Sequence, residues 1–371
     1  MEDRHTIADA QRVVVKIGSS SLTRPDGRLN LNRLDEIAGA VARMTKRGKQ
    51  VVLVSSGAVA AGIDPLGLPA RPRDLPTIQA CAAMGQGLLV ARWAAAFQSH
   101  FRHVAQVLLT VEDVMRRDHY ANARQSLDRL LHFGVVPVVN ENDTVVTREV
   151  RFGDNDRLAA YVSHLVSADA LILLTDVNGL YTAPPGTEGA HLIEDVTSFE
   201  DLRSVRTEGA GTGIGTGGMT TKVDAAAMAS ASGIPVVMCH ADDLALAAAG
   251  KSVGTLFHTT GRRRPSRTLW IAHAARSRGQ LILDDGAMEA ITKRKKSLLL
   301  AGVVAVRGDF ASGDVVELIG SSGVVARGIA SYDSDEIDRL KGLSMGDLRS
   351  QGIDDARPVI HRDDMAETRQ P

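Results

Sequence analysis

The chain is poor in cysteine: 371 residues carry two, Cys81 and Cys239. Two thiols and no CxxC cannot supply a cysteine metal cluster, and both sit in apolar stretches, where a reduced core thiol of a cytoplasmic protein is expected. Aromatic residues are scarce at 4%, which leaves little for stacking nucleic-acid bases. Neither charge prevails: 43 Lys+Arg stand against 44 Asp+Glu, a formal net charge of −1, whereas a dedicated nucleic-acid binder is usually basic. No uninterrupted apolar run approaches the ~20 residues of a membrane span, and Met1 to Ala10 lacks the apolar stretch of a signal peptide. No Walker A loop, GxxxxGK[ST], is present, nor a Ser-His-Asp order or a metal-ligand spacing. The eleven histidines are scattered, and none stands out as a base.

What is present is ordinary globular composition, 44% hydrophobic and 23% charged. The length suggests two domains, because single cores stop growing near ~250–300 residues. From Gln11 to about Phe257, short apolar runs alternate with amphipathic stretches. The runs are 13–15, 51–54, 104–109, 135–139, 171–174 and 235–238. Helical patterns fall at 31–45, 78–98, 121–132, 155–166 and 219–232. Runs apolar throughout are expected of strands covered on both faces. The alternation predicts an α/β fold with a mostly parallel sheet sandwiched by helices. Ligands then belong beyond the carboxyl ends of the strands. Gly261 to Arg267 has no apolar residue and reads as a linker. Beyond it, runs at 280–283, 303–306, 315–319 and 324–329, separated by turn signals, predict a small β-rich module. The resulting division is 1–261, a linker 262–275, a module 276–360 and a polar tail 361–371.

Five segments collect candidate chemistry. Lys16, Ile17 and Gly18 end a strand with a point charge and a backbone open to anions; a surface lysine is the plain alternative. Ser56 and Gly57 follow the strand 51–54 and precede a helix, where N–H groups can meet an anion or Ser can act as an ordinary cap. Asn140 to Asp143, then Gly153 to Asp156, place amides and carboxylates at a strand's carboxyl end, suited to an amino group, to orienting lysines, to water-bridged Mg²⁺ or to plain Asx turns. Thr175 and Asp176 follow another apolar strand. Six of the ten residues 209–218 are glycine, and a helix carrying Lys222 follows. That start can wrap phosphate oxygens, or the glycines can be a hinge. Gly213, Gly215 and Gly218 satisfy GxGxxG, but no strand precedes them, which argues against a dinucleotide fold. Two lysines beside glycine-rich turns, with no protein nucleophile, fit phosphoryl transfer best.

VVVKIGSSSLT (13–23), VSSGAVAAG (54–62), NENDTV (140–145), GDND (153–156), LLTDVNGLYT (173–182), GTGGMTTK (215–222) and SVGTLFH (252–258) together closely resemble the glutamate 5-kinases, a branch of the amino-acid kinase family. GVVAVRGDFASGDVVEL (302–318) and VIHRDDM (359–365) resemble the PUA domain of their long bacterial forms. The resemblance spans essentially the whole chain. It implies an amino-acid kinase fold and ATP-dependent phosphorylation of the L-glutamate γ-carboxylate to L-glutamyl 5-phosphate, at the first step of proline biosynthesis. Carried over by motif, Lys16, Lys222 and Asp156 are the catalytic set, with Asp156 holding the two lysines. ATP is expected at Lys16, Gly18, Thr175, Asp176 and Thr216, Gly217, Gly218, Met219, Thr220, Thr221 and Lys222. Glutamate is expected at Ser56, Gly57, Asp143 and Asn155. Mg²⁺ is expected through ATP phosphates and water, with no dedicated metal ligands. The resemblance also implies feedback inhibition by proline and a homo-dimer or homo-tetramer. Because an acyl phosphate is labile, glutamyl-phosphate reductase is an expected partner for its handover. N-acetylglutamate, aspartate, carbamate or UMP are the acceptors a relative of the same fold would use. RNA is a weaker alternative: residues 262–310 hold eleven Lys+Arg against four Asp+Glu, yet residues 311–371 reverse that balance and few aromatics accompany it.

Overall fold

The computed structural model describes residues 2–24, 26–110, 113–114, 116–145, 155–199, 202, 218–261, 271, 277–321, 323–350 and 357–367. The chain forms two compact units: Met1–Val114 with Asp118–Arg263, and Arg264–Pro371 with Met115–Arg117. Of the expected features, Gly153, Asp154, Thr216, Gly217, the rest of the glycine run 209–215 and most of the linker lie outside the described residues.

The first unit is built on an eight-stranded sheet. Its strands are β1 (Arg12–Ile17), β2 (Gln50–Ser55), β3 (Val104–Leu109), β4 (Val136–Glu141), β5 (Ala170–Thr175), β6 (Asp195–Val196), β7 (Val236–His240) and β8 (Thr255–Phe257). The spatial order is β3-β4-β2-β1-β5-β7-β8-β6. All neighbours run parallel except β7 and β8. The chain lays β2 to β4 on one side of β1, then crosses to place β5 on the other. That reversal makes β1 the switch point, and the crevice beyond its carboxyl end is where such sheets bind ligands.

The main helices are α1 (Glu2–Asp9), α2 (Ser19–Leu22), α3 (Leu31–Lys46), α4 (Ala58–Ile63), α5 (Leu75–Gln98), α6 (Arg117–His132), α7 (Asp156–Leu165), α8 (Gly218–Ala231) and α9 (Leu244–Ala248). Their starts are written locally. Asn30 accepts from the Arg33 amide to begin α3, and Asp74 accepts from the Thr77 amide to begin α5. Helix α3 buries Leu34, Ile37, Ala38, Val41 and Met44 along one face, the stripe its periodicity predicts.

Helix α5 departs from expectation. Counted with its interspersed polar residues, it is long and apolar enough to cross a membrane by length and composition. Yet Cys81, Ala82, Gly85, Leu89, Trp93 and Phe97 are buried within this unit, as in a core helix. Strand β4 also runs further than its apolar run. Asn140 and Glu141 pair with Leu108 and Leu109 of β3, so the ladder carries two polar residues into the sheet. The short β6 and the antiparallel β8 were not legible as separate strands.

The second unit holds a five-stranded sheet in the order β10-β9-β11-β12-β13. Its strands are β9 (Gly279–Leu283), β10 (Val303–Arg307), β11 (Val315–Gly320), β12 (Gly323–Ile329) and β13 (Met365–Glu367). It has its own core, including Leu281, Ile291, Val316, Leu318, Ile337 and Ile360. Two expectations change here. Asp284-Asp285-Gly286, read as a turn, opens helix α10 (Asp285–Thr292), because the Asp284 side chain caps the Ala287 amide at 2.6 Å. The segment expected as a tail joins the sheet: Met365 and Ala366 pair with Gly328 and Arg327, and Ala366 is buried. An edge strand needs only one buried side, so exposed neighbours such as Arg362 and Asp363 do not prevent pairing.

Candidate active site

The strand ends β1, β2, β4 and β5 deliver the polar groups. Lys16 is the fifth residue of β1, between Val13–Val15 and Ile17, and its side chain is 0% exposed. Asp156 opens α7 and is equally buried. Lys16 Nζ contacts Asp156 Oδ1. Lys222, in the first turns of α8 and 6% exposed, donates to Asp156 Oδ2 at 3.1 Å and to the Gly218 carbonyl at 3.2 Å. Thr221 Oγ1 donates to the same Oδ2 at 2.9 Å. Residues 16, 156 and 222 are far apart in sequence, and one carboxylate joins them.

Two ammonium groups against one carboxylate favour an anionic ligand. Withdrawing such charges from water costs several kcal/mol per ion, about as much as good pairing returns, so the trio is a costly arrangement to keep for stability alone. Gly18 leaves ordinary contact distance, 3.5 Å, between Lys16 Nζ and a Cβ built at its position. Gly218 opens α8 beside Lys222, with Met219 half-buried and Thr220 exposed.

On the other side of β1, Asn155 precedes Asp156. Its Nδ2 donates to the Ser55 carbonyl at 2.6 Å and to Asn140 Oδ1 at 2.5 Å. Asn140 Oδ1 also accepts from the Glu141 amide at 3.0 Å. Ser56 and Gly57 turn the chain from β2 into α4. Gly57 has φ +108°, a left-handed conformation that only glycine adopts without strain. Asp143 lies half-buried in the turn after β4. Thr175 ends β5, buried, and its hydroxyl donates to the exposed Asp176 at 3.1 Å.

The expected residues thus group in two. Lys16, Asp156, Thr221, Lys222 and Gly218 are joined by direct contacts, with Gly18 beside them. Ser56, Gly57, Asp143 and Asn155 stand at the ends of β2 and β4 and the start of α7. Among the described residues, no hydrogen bond or ion pair joins Thr175 and Asp176 to either group. Motif reading passed over Ser55, and it singled out Asn140 only as part of a cluster. Both link Asn155 to the strand ends. A serine at a strand's end gives no signal of a partner a hundred residues away.

The family model described as "Amino acid kinase family" matches residues 11–240, and that described as "PUA domain" matches residues 279–351. The chain is 52% identical over 365 residues to the glutamate 5-kinase of Streptomyces coelicolor, covering 98% of both chains. It is 53% identical over 368 residues to that of Salinispora arenicola, covering 98% of this chain and 99% of the relative. The chain belongs to the glutamate 5-kinase family. It is therefore a phosphotransferase of the amino-acid kinase type with a PUA domain. The fold agrees. A carbamate kinase from Giardia lamblia bound to AMP-PNP superposes with a TM-score of 0.51 at 15% identity, covering 68% of this chain and 99% of the other.

Proposed function

We propose that the enzyme transfers the γ-phosphoryl group of ATP to the γ-carboxylate of L-glutamate. A carboxylate oxygen attacks the γ-phosphorus, the bond to the β–γ bridging oxygen breaks, and ADP leaves with that electron pair. The products are L-glutamyl 5-phosphate and ADP. The γ-carboxylate is already ionised near neutral pH, so no general base is required. The difficulty is electrostatic, because a carboxylate must approach a triphosphate. Like charges a few ångströms apart cost about 4 kcal/mol at an effective dielectric of 20. The observation that carries the reading is the buried carboxylate of Asp156 facing both Lys16 and Lys222. It holds two cations in fixed positions, so they need not reorganise as charge moves from the γ-phosphoryl to the leaving ADP.

In this reading Lys16, Gly18 and the start of α8 from Gly218 to Lys222 receive the phosphates, with Thr216 and Gly217 preceding them. Thr175 and Asp176 line the nucleotide side. Ser56, Gly57, Asp143 and Asn155 receive glutamate: Asp143 suits its ammonium, and the Ser56–Gly57 amides suit a carboxylate. Mg²⁺ fits as a passenger of the nucleotide, since both oxygens of Asp156 already face cations, leaving phosphate oxygens and water as its ligands. It would shield phosphate charge there. Residues 1–261 would be the catalytic domain, and the PUA module would run from 276 through β13. Inhibition by proline, assembly as a dimer or tetramer and handover to a reductase belong to the same proposal, as does a cytoplasmic site of action.

Hydroxylamine trapping tests it. Purified enzyme with ATP and Mg²⁺ is offered L-glutamate, N-acetylglutamate and L-aspartate, each with and without proline. Hydroxamate from glutamate alone, suppressed by proline, is the expected result. Hydroxamate from another acceptor instead would overturn the substrate assignment.

A further inference from the structure

Helix α5 carries two polar side chains on a face that is otherwise apolar. Its buried residues include Cys81, Ala82, Gly85, Leu89, Ala96 and Phe97, and among them lie Gln86 and Trp93. Each polar group reaches a different strand end. Trp93 is 0% exposed, and its Nε1–H donates to Ser55 Oγ at 3.1 Å. Ser55 Oγ in turn donates to the Ser56 carbonyl at 2.9 Å. Gln86 Nε2 donates to the Glu141 carbonyl at 3.3 Å, and its Oε1 accepts from Gln106 of β3 at 3.1 Å.

These bonds end one or two residues from the groups assigned to glutamate. The indole fixes the Ser56 carbonyl, and so the peptide leading into Gly57. The carboxamide fixes the Glu141 carbonyl, two residues before Asp143. The same Ser55 accepts from Asn155 through its carbonyl, so one residue gathers a bond from α5 and one from the start of α7. Packing alone does not need either polar group. A phenylalanine would fill the aromatic position beside Phe97, whose ring centre lies 6.1 Å from that of Trp93. Buried N–H groups are kept where they have partners to hold, because leaving them unpaired is costly.

We propose that Trp93 and Gln86 are positioning residues through which α5 aligns the acceptor pocket and not the nucleotide pocket. The inference rests on assigning Ser56, Gly57 and Asp143 to the acceptor. The nucleotide-side groups Lys16, Lys222, Thr221 and Gly218 receive no bond from Trp93 or Gln86 among the described residues.

The test is steady-state kinetics on the full-length chain with Trp93→Phe, Ser55→Ala, the double variant, and Gln86→Met, which keeps length but loses both hydrogen bonds. Losing one such bond should raise KM for the acceptor about tenfold, with KM for ATP and kcat nearly unchanged. The double variant should be no worse than the poorer single one, because indole and hydroxyl act in one chain. Three results would overturn the proposal: equal rises in both KM values, a fall in Tm with both KM values unchanged, or additive effects of Trp93→Phe and Ser55→Ala. The comparison is made on whichever acceptor the wild type phosphorylates. An acceptor other than glutamate would refute the substrate assignment and leave this inference to be judged on its own split. Should Trp93→Phe fail to fold, Gln86→Met carries the same split.

Discussion

Asp156 faces Lys16, Lys222 and the Thr221 hydroxyl with two oxygens. Replacing it by Asn leaves two buried cations without their carboxylate. Breaking a buried pair from one side typically costs about 3–5 kcal/mol, so Asp156→Asn should lower both Tm and kcat. Lys222→Ala behaves differently, because it removes one cation and leaves the Lys16 pair in place. It should lose about 10²–10³ in kcat with a smaller change in melting, measured by hydroxamate formation and by thermal unfolding. Wild-type turnover in Lys222→Ala would end its assignment to the phosphoryl group. The two cysteines sit at the opposite extreme of reactivity. Both are free and buried, and burial pushes the Cys239 thiol up to about 12. A thiol reagent at pH 8 should modify neither until denaturant is added, since the thiolate is the reactive form.

Helices α4 and α5 meet through glycine. A Cβ at Gly85 would lie 1.8 Å from the Ala58 carbonyl oxygen, and one at Gly62 would lie 2.0 Å from that of Cys81. No rotamer change relieves a clash with backbone, so the helices must separate. Gly85→Ala should destabilise by about 1–3 kcal/mol, in the range of overpacked cores, and urea unfolding would read the shift. Because α5 also holds the ends of β2 and β4 through Trp93 and Gln86, the same substitution should raise KM for the acceptor. Unchanged stability in Gly85→Ala would mean that the close approach is absent in solution.

Each unit has its own hydrophobic core, so a chain ending at Arg263 should fold and keep acceptor-dependent ADP release. Loss of cooperative unfolding in that truncation would show that the first core is not self-sufficient. At this scale the alternation of apolar runs with helical patterns was enough to foresee a mostly parallel sheet, because strands covered on both faces need no polar alternation. The second sheet was also foreseen, but its helix α10 was hidden, since an Asp-Asp-Gly start serves a turn and a helix cap equally well. Strand β13 was hidden because an edge strand can be three residues long and flanked by charge.

Local chemistry, then, is what the sequence determined by itself: which residues end strands, which cap helices, where glycines open a backbone and which lysines adjoin them. Motif resemblance added the family. The resemblance also implied that Asp156 holds both lysines, a contact the tertiary structure shows. Tertiary structure alone decided that Asn155 bridges Ser55 and Asn140 and that a tryptophan on α5 holds the turn after β2. Those pairings join residues 15 to 140 positions apart along the chain, and no local propensity encodes a side-chain contact at such separations. They arise when the sheet order brings the carboxyl ends of β1, β2 and β4 to one crevice, where buried polar groups must find one another or remain unpaired.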